Sequence, residues 1–369
     1  MHNLIISTIV WGNYYKNFID YTIPTLLTKG NLDNKKIKFH HYICSDENSW
    51  NKMNESESFN KLKELGDVVF FPYKNITESS IPNKVNQFTG ITLRKAYENK
   101  LIHFIVCPDA IFSKNYLLKN LEILGDDIEC IASPGSRVSE KIFLDLKNLK
   151  RNQIIEVSSL KLSSLALKFK NKWSYFNEID SKYRSQFSSG ITITDKNNKY
   201  RLSVGHKTTP ILCYVNKPMD YKKFGSIDFA LPTMLTHPKK IYLPKNSSKD
   251  EFHYGLSDDE LVLKEGIHFV KEKLTILGFS LQWINKYFSG EEYLLKQIVT
   301  EVSNNDVFVK KNDLNNIKKF QYCSLILIFF LKLIIPIFKL KNIFFNLKII
   351  YIRVINLIKR IILTIKKMI

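Results

Sequence analysis

The sequence has no phosphate loop, no G-x-G-x-x-G, no G-x-S-x-G and no histidine or cysteine set at zinc spacing. Each of those motifs carries its own chemistry. Their absence removes P-loop hydrolysis, fingerprint dinucleotide binding, nucleophile-elbow hydrolysis and zinc-finger recognition as starting points. The five cysteines, Cys44, Cys107, Cys130, Cys213 and Cys323, are odd in number and far apart. They make no disulfide framework and read as reduced thiols of a cytoplasmic protein. No cationic leader opens the chain, and the apolar run Leu4–Val10 is too short for a signal peptide, so a strand is expected there. There is no internal repeat and no long low-complexity segment. A run of about twenty apolar residues, which a spanning helix needs, is also missing. Ser324 to Phe338 comes nearest, but it is shorter, holds Lys332 and is interrupted by Pro336. Acidic residues are absent from the last fifty positions, 320–369, where nine Lys/Arg stand.

What remains is a chain of 369 residues with ordinary apolar and charged fractions, 44% and 24%, and an unusual net charge of +20. That length implies one large core with an appendage, divided here as 1–315 and 316–369. Nine of the twenty excess positive charges belong to the tail, and the others are scattered. No nucleic-acid motif accompanies them, so nucleic acid is not an expected partner.

Apolar, β-branched runs at 3–11, 38–45 (KFHHYICS), 67–72 (DVVFFP) and 101–107 (LIHFIVC) alternate with helical patterns at 14–28, 51–65 and 82–100. Pro82 suits a helix's first turn. This alternation predicts an α/β, mostly parallel sheet covered on both faces, with ligands at the carboxyl ends of the strands. Thr8 to Gly12 and Cys107 to Ser113 are two such ends. Beyond IASP at 131–134, residues 139–185 read as helical, 188–194 and 211–215 as short strands, 216–260 as loops, 261–300 as helical and 303–313 as a linker.

Four places could carry chemistry. Asp109 follows a buried strand, where a carboxylate can meet a ligand or a metal-bound phosphate, or can cap the next helix. His206 precedes a strand, and Asp228 lies in FGSIDFALP (224–232). The fourth is the acidic cluster Asp250, Glu251, His253, Ser257 and Asp258, which reads first as a solvated loop with Ser257 capping a helix Asp258–Lys264.

Taken together, these segments resemble bacterial glycosyltransferases of the GT-A, nucleotide-diphospho-sugar transferase type. The resemblance rests on STIVWGNYYKNFIDYTIPTLLTKGNL (7–32) with its P-x-L-L-x-x-G-N ending, the stretch from Pro82 to Ser113, ASPGSRV (132–138), the histidine before a strand at His206, and GSID (225–228). It covers roughly residues 3–260. It implies a GT-A-like, Rossmann-like sheet and sugar transfer from a nucleotide-sugar donor to a glycan or lipid-linked acceptor. In that type an Asp-x-Asp motif holds a divalent metal (Mn²⁺ or Mg²⁺), a hard cation that offsets the donor diphosphate. Here Ala110 and Ile111 follow Asp109, so the second carboxylate is missing. Two arrangements stay open: Asp109 with His206 as metal ligands, or Arg and Lys side chains at the phosphates without a metal. The resemblance further implies Thr8, Val10 and Trp11 along the donor base or ribose, partly through backbone. Asp109 would lie at the donor phosphates, and Arg94 and Arg137 are candidate phosphate contacts. Asp228 is the expected general base on the acceptor hydroxyl, and His206 could share either task.

In the tail, Lys332, Lys339, Asn346, Arg353, Arg360 and Lys367 recur every seven residues, flanked by Lys341, Lys348, Lys359 and Lys366. A helix with this repeat keeps a narrow basic face and a wide apolar one, which suits an anionic membrane surface. A core or coiled-coil helix, and a hairpin split at Pro336, are the alternatives. The expected protein is a peripheral glycosyltransferase on the cytoplasmic, inner face of the cell membrane, acting in lipopolysaccharide or capsule-type assembly. The alternatives are a non-catalytic protein of the same fold that binds a sugar nucleotide or glycan, and a basic membrane or nucleic-acid scaffold.

Overall fold

A computed structural model describes residues 1–134, 137–171, 178–179, 183–185, 190–205, 208–223, 230–257, 267–269, 276, 280, 291–295 and 297–340. The first half alternates strand and helix as expected. Strands β1 (His2–Val10), β2 (Ile37–Ser45), β3 (Asp67–Pro72) and β4 (Ile102–Ile105) are parallel, with β1 between β2 and β4. Short strands β5 (Ala110–Phe112), β6 (Cys130–Pro134) and β7 (Arg137–Ser139) follow. The main sheet has seven strands in the order Ile241–Tyr242, β6, Thr208–Tyr214, β4, β1, β2, β3, and only Thr208–Tyr214 runs antiparallel to its neighbours.

Continuous apolar runs make β1 and β4 central, because parallel strands are buried on both faces. One face carries Leu4, Ile6 and Val10 against Phe18, Ile23, Phe59 and Leu62 of the helical segments that follow β1 and β2. The other carries Ile5 and Ile105 against Leu93 and Ala96 of the helix Ile81–Glu98. Ser80 caps that helix by accepting the Asn83 N–H at 3.4 Å, and Pro82 lies in its first turn.

Among the described residues there are also two three-stranded sheets and two two-stranded ribbons. His253–Ser257 pairs with β5 and β7, and Tyr200–Val204 lies between Ile191–Thr194 and Val299–Val302.

Several sequence expectations are corrected. The helix expected over 51–65 is two helices, Glu47–Asn54 and Glu57–Leu65. Residues 139–185 are not one helical stretch: Lys150–Arg151 and Ile154–Ile155 form a hairpin, and Tyr183–Ser185 is a strand. The hairpin turns on Asn152 and Gln153, both with positive φ (48° and 64°), as a tight two-residue connection requires. Within 261–300, Ile267–Phe269 is a strand and Val299 opens another, because their antiparallel partners override local propensity. Within 216–260, Leu231–Leu235 is a short helix and His253–Ser257 a strand. The expected helix Asp258–Lys264 lies outside the described residues.

The tail also differs from expectation. The helix Lys311–Leu340 does not part from the body at residue 316. Ile317, Phe320, Leu327 and Ile328 are buried against Leu202, Val204, Tyr293 and Val302, so its first half is a core helix. It also passes through Pro336 rather than turning back. A proline removes one backbone bond from a helix, which can kink it without ending it. Among the described residues, no helix is long and apolar enough to cross a membrane. Residues 341–369 lie outside them.

Candidate functional site

The strand order reverses beside β1: the chain moves outward through β2 and β3, then crosses back to place β4 on the other flank. Open α/β sheets bind ligands at the carboxyl ends of the strands at such a point. The Val106 N–H donates to the Ser7 carbonyl at 3.0 Å, so β1 and the end of β4 stay in register up to that edge.

Asp109 lies there, 6% exposed, between β4 and β5. Its Oδ2 is 3.0 Å from Nη1 of Arg137, whose side chain is about half exposed at 46%. The same Nη1 donates to the Leu256 carbonyl at 3.0 Å, and the Leu256 N–H donates to the Asp109 carbonyl at 2.7 Å. Gly255 lies against the Arg137 side chain, and a Cβ there would meet it only in ordinary van der Waals contact at 3.6 Å. Asp109 and Arg137, singled out separately in the sequence, are thus brought into one group.

The P-x-L-L-x-x-G-N segment builds the scaffold under Asp109. After β1 the helix widens into a π turn over Phe18–Thr22, and the Thr22 hydroxyl donates to the Pro108 carbonyl at 2.8 Å. The Thr25 hydroxyl accepts the Phe112 N–H at 3.2 Å, and the Asn31 amide donates to the Ser113 carbonyl at 3.1 Å. Glu251 closes the far side, accepting from the Ser113 hydroxyl at 2.7 Å and from Lys119 Nζ at 2.7 Å. The cluster around Asp250 is therefore mostly structural. Asp250 caps a turn by accepting the Lys245 and Asn246 N–H groups, and His253 is buried beside Phe112 and Tyr116.

At the carboxyl end of β1 the chain turns through Gly12, whose φ of +54° suits glycine. Val10 is fully buried in the core. The Thr8 hydroxyl is buried and shares a 2.8 Å hydrogen bond with His41 Nε2, so Thr8 offers the edge of the sheet its backbone only. Burial lowers the pKa of His41 to about 3. Trp11 is half-buried, edge-on to Tyr14 with ring centres 5.9 Å apart and tilted against Tyr73 at 6.4 Å. Lys84 Nζ stands 4.6 Å over the Tyr73 ring. Sequence reasoning found Trp11 and missed Tyr73 and Lys84. The signal was available, since Tyr73 directly follows β3 and Lys84 lies in the first turn of the next helix. Asp46, just past β2, is partly desolvated, which raises its carboxyl. The Ser49 N–H at 2.8 Å and hydroxyl at 2.7 Å outweigh this and hold it below the usual range.

Arg94 is not brought to this group. The helix Ile81–Glu98 runs back against the strand direction, so Arg94 sits about 20 Å from its start, exposed, towards the opposite edge. His206 and Asp228 lie outside the described residues.

A metal of the kind the resemblance implies finds few ligands here. The Asp109 carboxylate is engaged by Arg137, the following Ala110 and Ile111 are core residues, and no group of three His, Cys, Asp or Glu gathers among the described residues. These residues fit an anion held by a guanidinium better than a divalent cation.

No protein-family model matches the chain, and no curated protein sequence matches it. Among solved structures, the apo form of mouse xyloside xylosyltransferase 1 is similar over 37% of this chain, at 9% identity and a TM-score of 0.28. The matched part spans about half of that protein, 53%. A likeness at that score carries no argument. The fold described above, a mixed α/β unit with a mostly parallel sheet, stands on its own topology.

Proposed function

We propose that the chain is a glycosyltransferase that moves a sugar from a nucleotide donor to a glycan or lipid-linked acceptor. The observation that carries the reading is the Asp109–Arg137 pair at the switch point of the sheet, on the same carboxyl edge as the Trp11–Tyr73 ring contact. In such a transfer the acceptor hydroxyl attacks the anomeric carbon, and the bond from that carbon to the diphosphate breaks. The hydroxyl proton goes to a base, and the leaving diphosphate gains negative charge. Arg137 is suited to meet that charge, since its guanidinium is always ionised and is already oriented by Asp109 and the Leu256 carbonyl. Asp228 is the proposed base, and His206 is proposed to share that task or the one at the phosphates, on the strength of the resemblance.

The membrane part of the reading rests on the basic tail, which would keep the enzyme on the inner face of the cell membrane, near lipid-linked acceptors of lipopolysaccharide or capsule type. Calorimetric titration with uridine, guanosine and cytidine diphospho-sugars, with and without Mn²⁺, tests the whole. Binding without metal, weakened roughly tenfold or more in Arg137→Met, supports the guanidinium reading. Binding only with Mn²⁺ moves the phosphate charge to a cation on Asp109 and His206. A chain that neither binds nor turns over any of these donors is not a glycosyltransferase.

A further inference from the structure

Among the described residues, the C-terminal helix packs one apolar face into the body and carries a second that is largely exposed. Ile317, Phe320, Leu327 and Ile328, each at most 4% exposed, pack into the body. On the opposite side Tyr322, Leu325, Ile326 and Phe329 stand 64%, 38%, 46% and 61% exposed. Their spacing (i, i+3, i+4, i+7) makes one continuous stripe. Phe308, just before the helix, is 91% exposed. Lys332, exposed and seven residues beyond Leu325, continues the same face and opens the basic stripe of the tail. From residue 320 onward the sequence has nine Lys/Arg and no Asp/Glu.

The charge decides what covers this face. A second helix packed on such a stripe would be flanked by charges of both signs. Here every charge that follows is positive, which complements an anionic lipid surface. We infer that Tyr322, Leu325, Ile326 and Phe329 enter the acyl boundary of an anionic bilayer, with Lys332 at the lipid phosphates. This rests on the membrane reading above and names its contact face. It also changes the attachment. The other face of the helix is part of the hydrophobic core, so the body is fastened to the bilayer in one orientation, without a flexible tether.

The test uses the full chain and sedimentation with vesicles of phosphatidylcholine alone or mixed with phosphatidylglycerol. The parent protein is expected to sediment with the mixed vesicles. The triple variant Tyr322→Ser, Ile326→Ser, Phe329→Ser is expected to bind them roughly 30-fold more weakly or less, with an unchanged melting temperature, since these side chains are exposed in the folded body. A parent that ignores both vesicles overturns the membrane reading, and this inference with it. A parent that binds while the triple variant binds equally well overturns only the inference and assigns attachment to later residues. Conversion of a dimer to a monomer by the triple variant, with no change on vesicles, assigns the stripe to a second copy. A lowered melting temperature with unchanged vesicle binding assigns it to the chain's own tail. Either result overturns the lipid assignment.

Discussion

Two histidines are locked neutral inside the sheet, one on each strand flanking β1, and they set an acid limit on stability. His41 and His103 are fully buried, bonded to Thr8 at 2.8 Å and Thr92 at 2.9 Å, and among the described residues Nδ1 of each has no hydrogen-bond partner. Burial lowers both pKa values from 6.5 to about 3. The unfolded chain therefore takes up two protons as the pH falls below about 6.5, whereas the folded chain does not until about 3. Stability is full above that range and falls with pH through it. Between roughly pH 7.5 and 4.5 each site removes about 2–3 kcal/mol, about 5 kcal/mol together. A domain typically has only about 5–15 kcal/mol, so this decides whether it stays folded. Paired carboxylates such as Asp46 and Glu129, held below their usual range, keep their contribution down to about pH 4 and do not blur the window. Urea unfolding across this pH range, followed by tryptophan fluorescence, measures the slope. His41→Gln with His103→Gln lowers absolute stability but flattens the slope. A parent that loses less than about 1 kcal/mol over the range, or a double variant with the parent's slope, refutes the reasoning.

Other outcomes follow from the same structure. Glu301→Gln leaves Arg201 charged and buried without its counter-ion (the pair is 3% and 0% exposed), which costs about 3–5 kcal/mol in urea unfolding. Phe320→Ala costs about 3–5 kcal/mol if the C-terminal helix is core, whereas a helix lying free of the body would lose almost nothing. Arg94→Ala changes stability by no more than about 0.5 kcal/mol and leaves donor binding unaltered in calorimetry. Timed thiol labelling at mildly alkaline pH modifies the part-exposed Cys107 and Cys323 first. Cys44 and Cys213, pushed to about 12 mainly by burial, and Cys130, raised further, react only on unfolding.

The parallel half of the fold was legible because its signals are local. Buried β-branched runs such as NLIISTIV and LIHFIVC, broken by Gly12 and Pro108, mark strands and their carboxyl ends without help from the rest of the chain. Asp109 and Arg137 were legible singly, but their pairing was not. Their meeting is braced by Leu256, which lies more than a hundred residues further on. The same reason defeated the assignments past residue 139. Val299–Val302 and His253–Ser257 are strands because distant edges need partners, and VTEV or HYGLS carry no turn or period that announces it. In the tail, composition was misleading about position. Ile317 and Phe320 resemble the residues after them, and only the waiting groove of Leu202, Val204 and Tyr293 sets them apart.

The strand His253–Ser257 bears on when the chain becomes competent during synthesis. The unit from β1 to β4 has its own hydrophobic layers and can begin to organise once about a hundred residues have left the ribosome. The loop bearing Asp109 is finished only when Leu256 arrives to bond its carbonyl and Glu251 to hold Ser113. Until then Arg137 lacks one of the two groups that orient it, because the Leu256 carbonyl has not yet been translated. Long-range closure of this kind is slow. A nascent chain stalled short of residue 251 should hold a largely formed sheet with the Asp109 loop still unfastened.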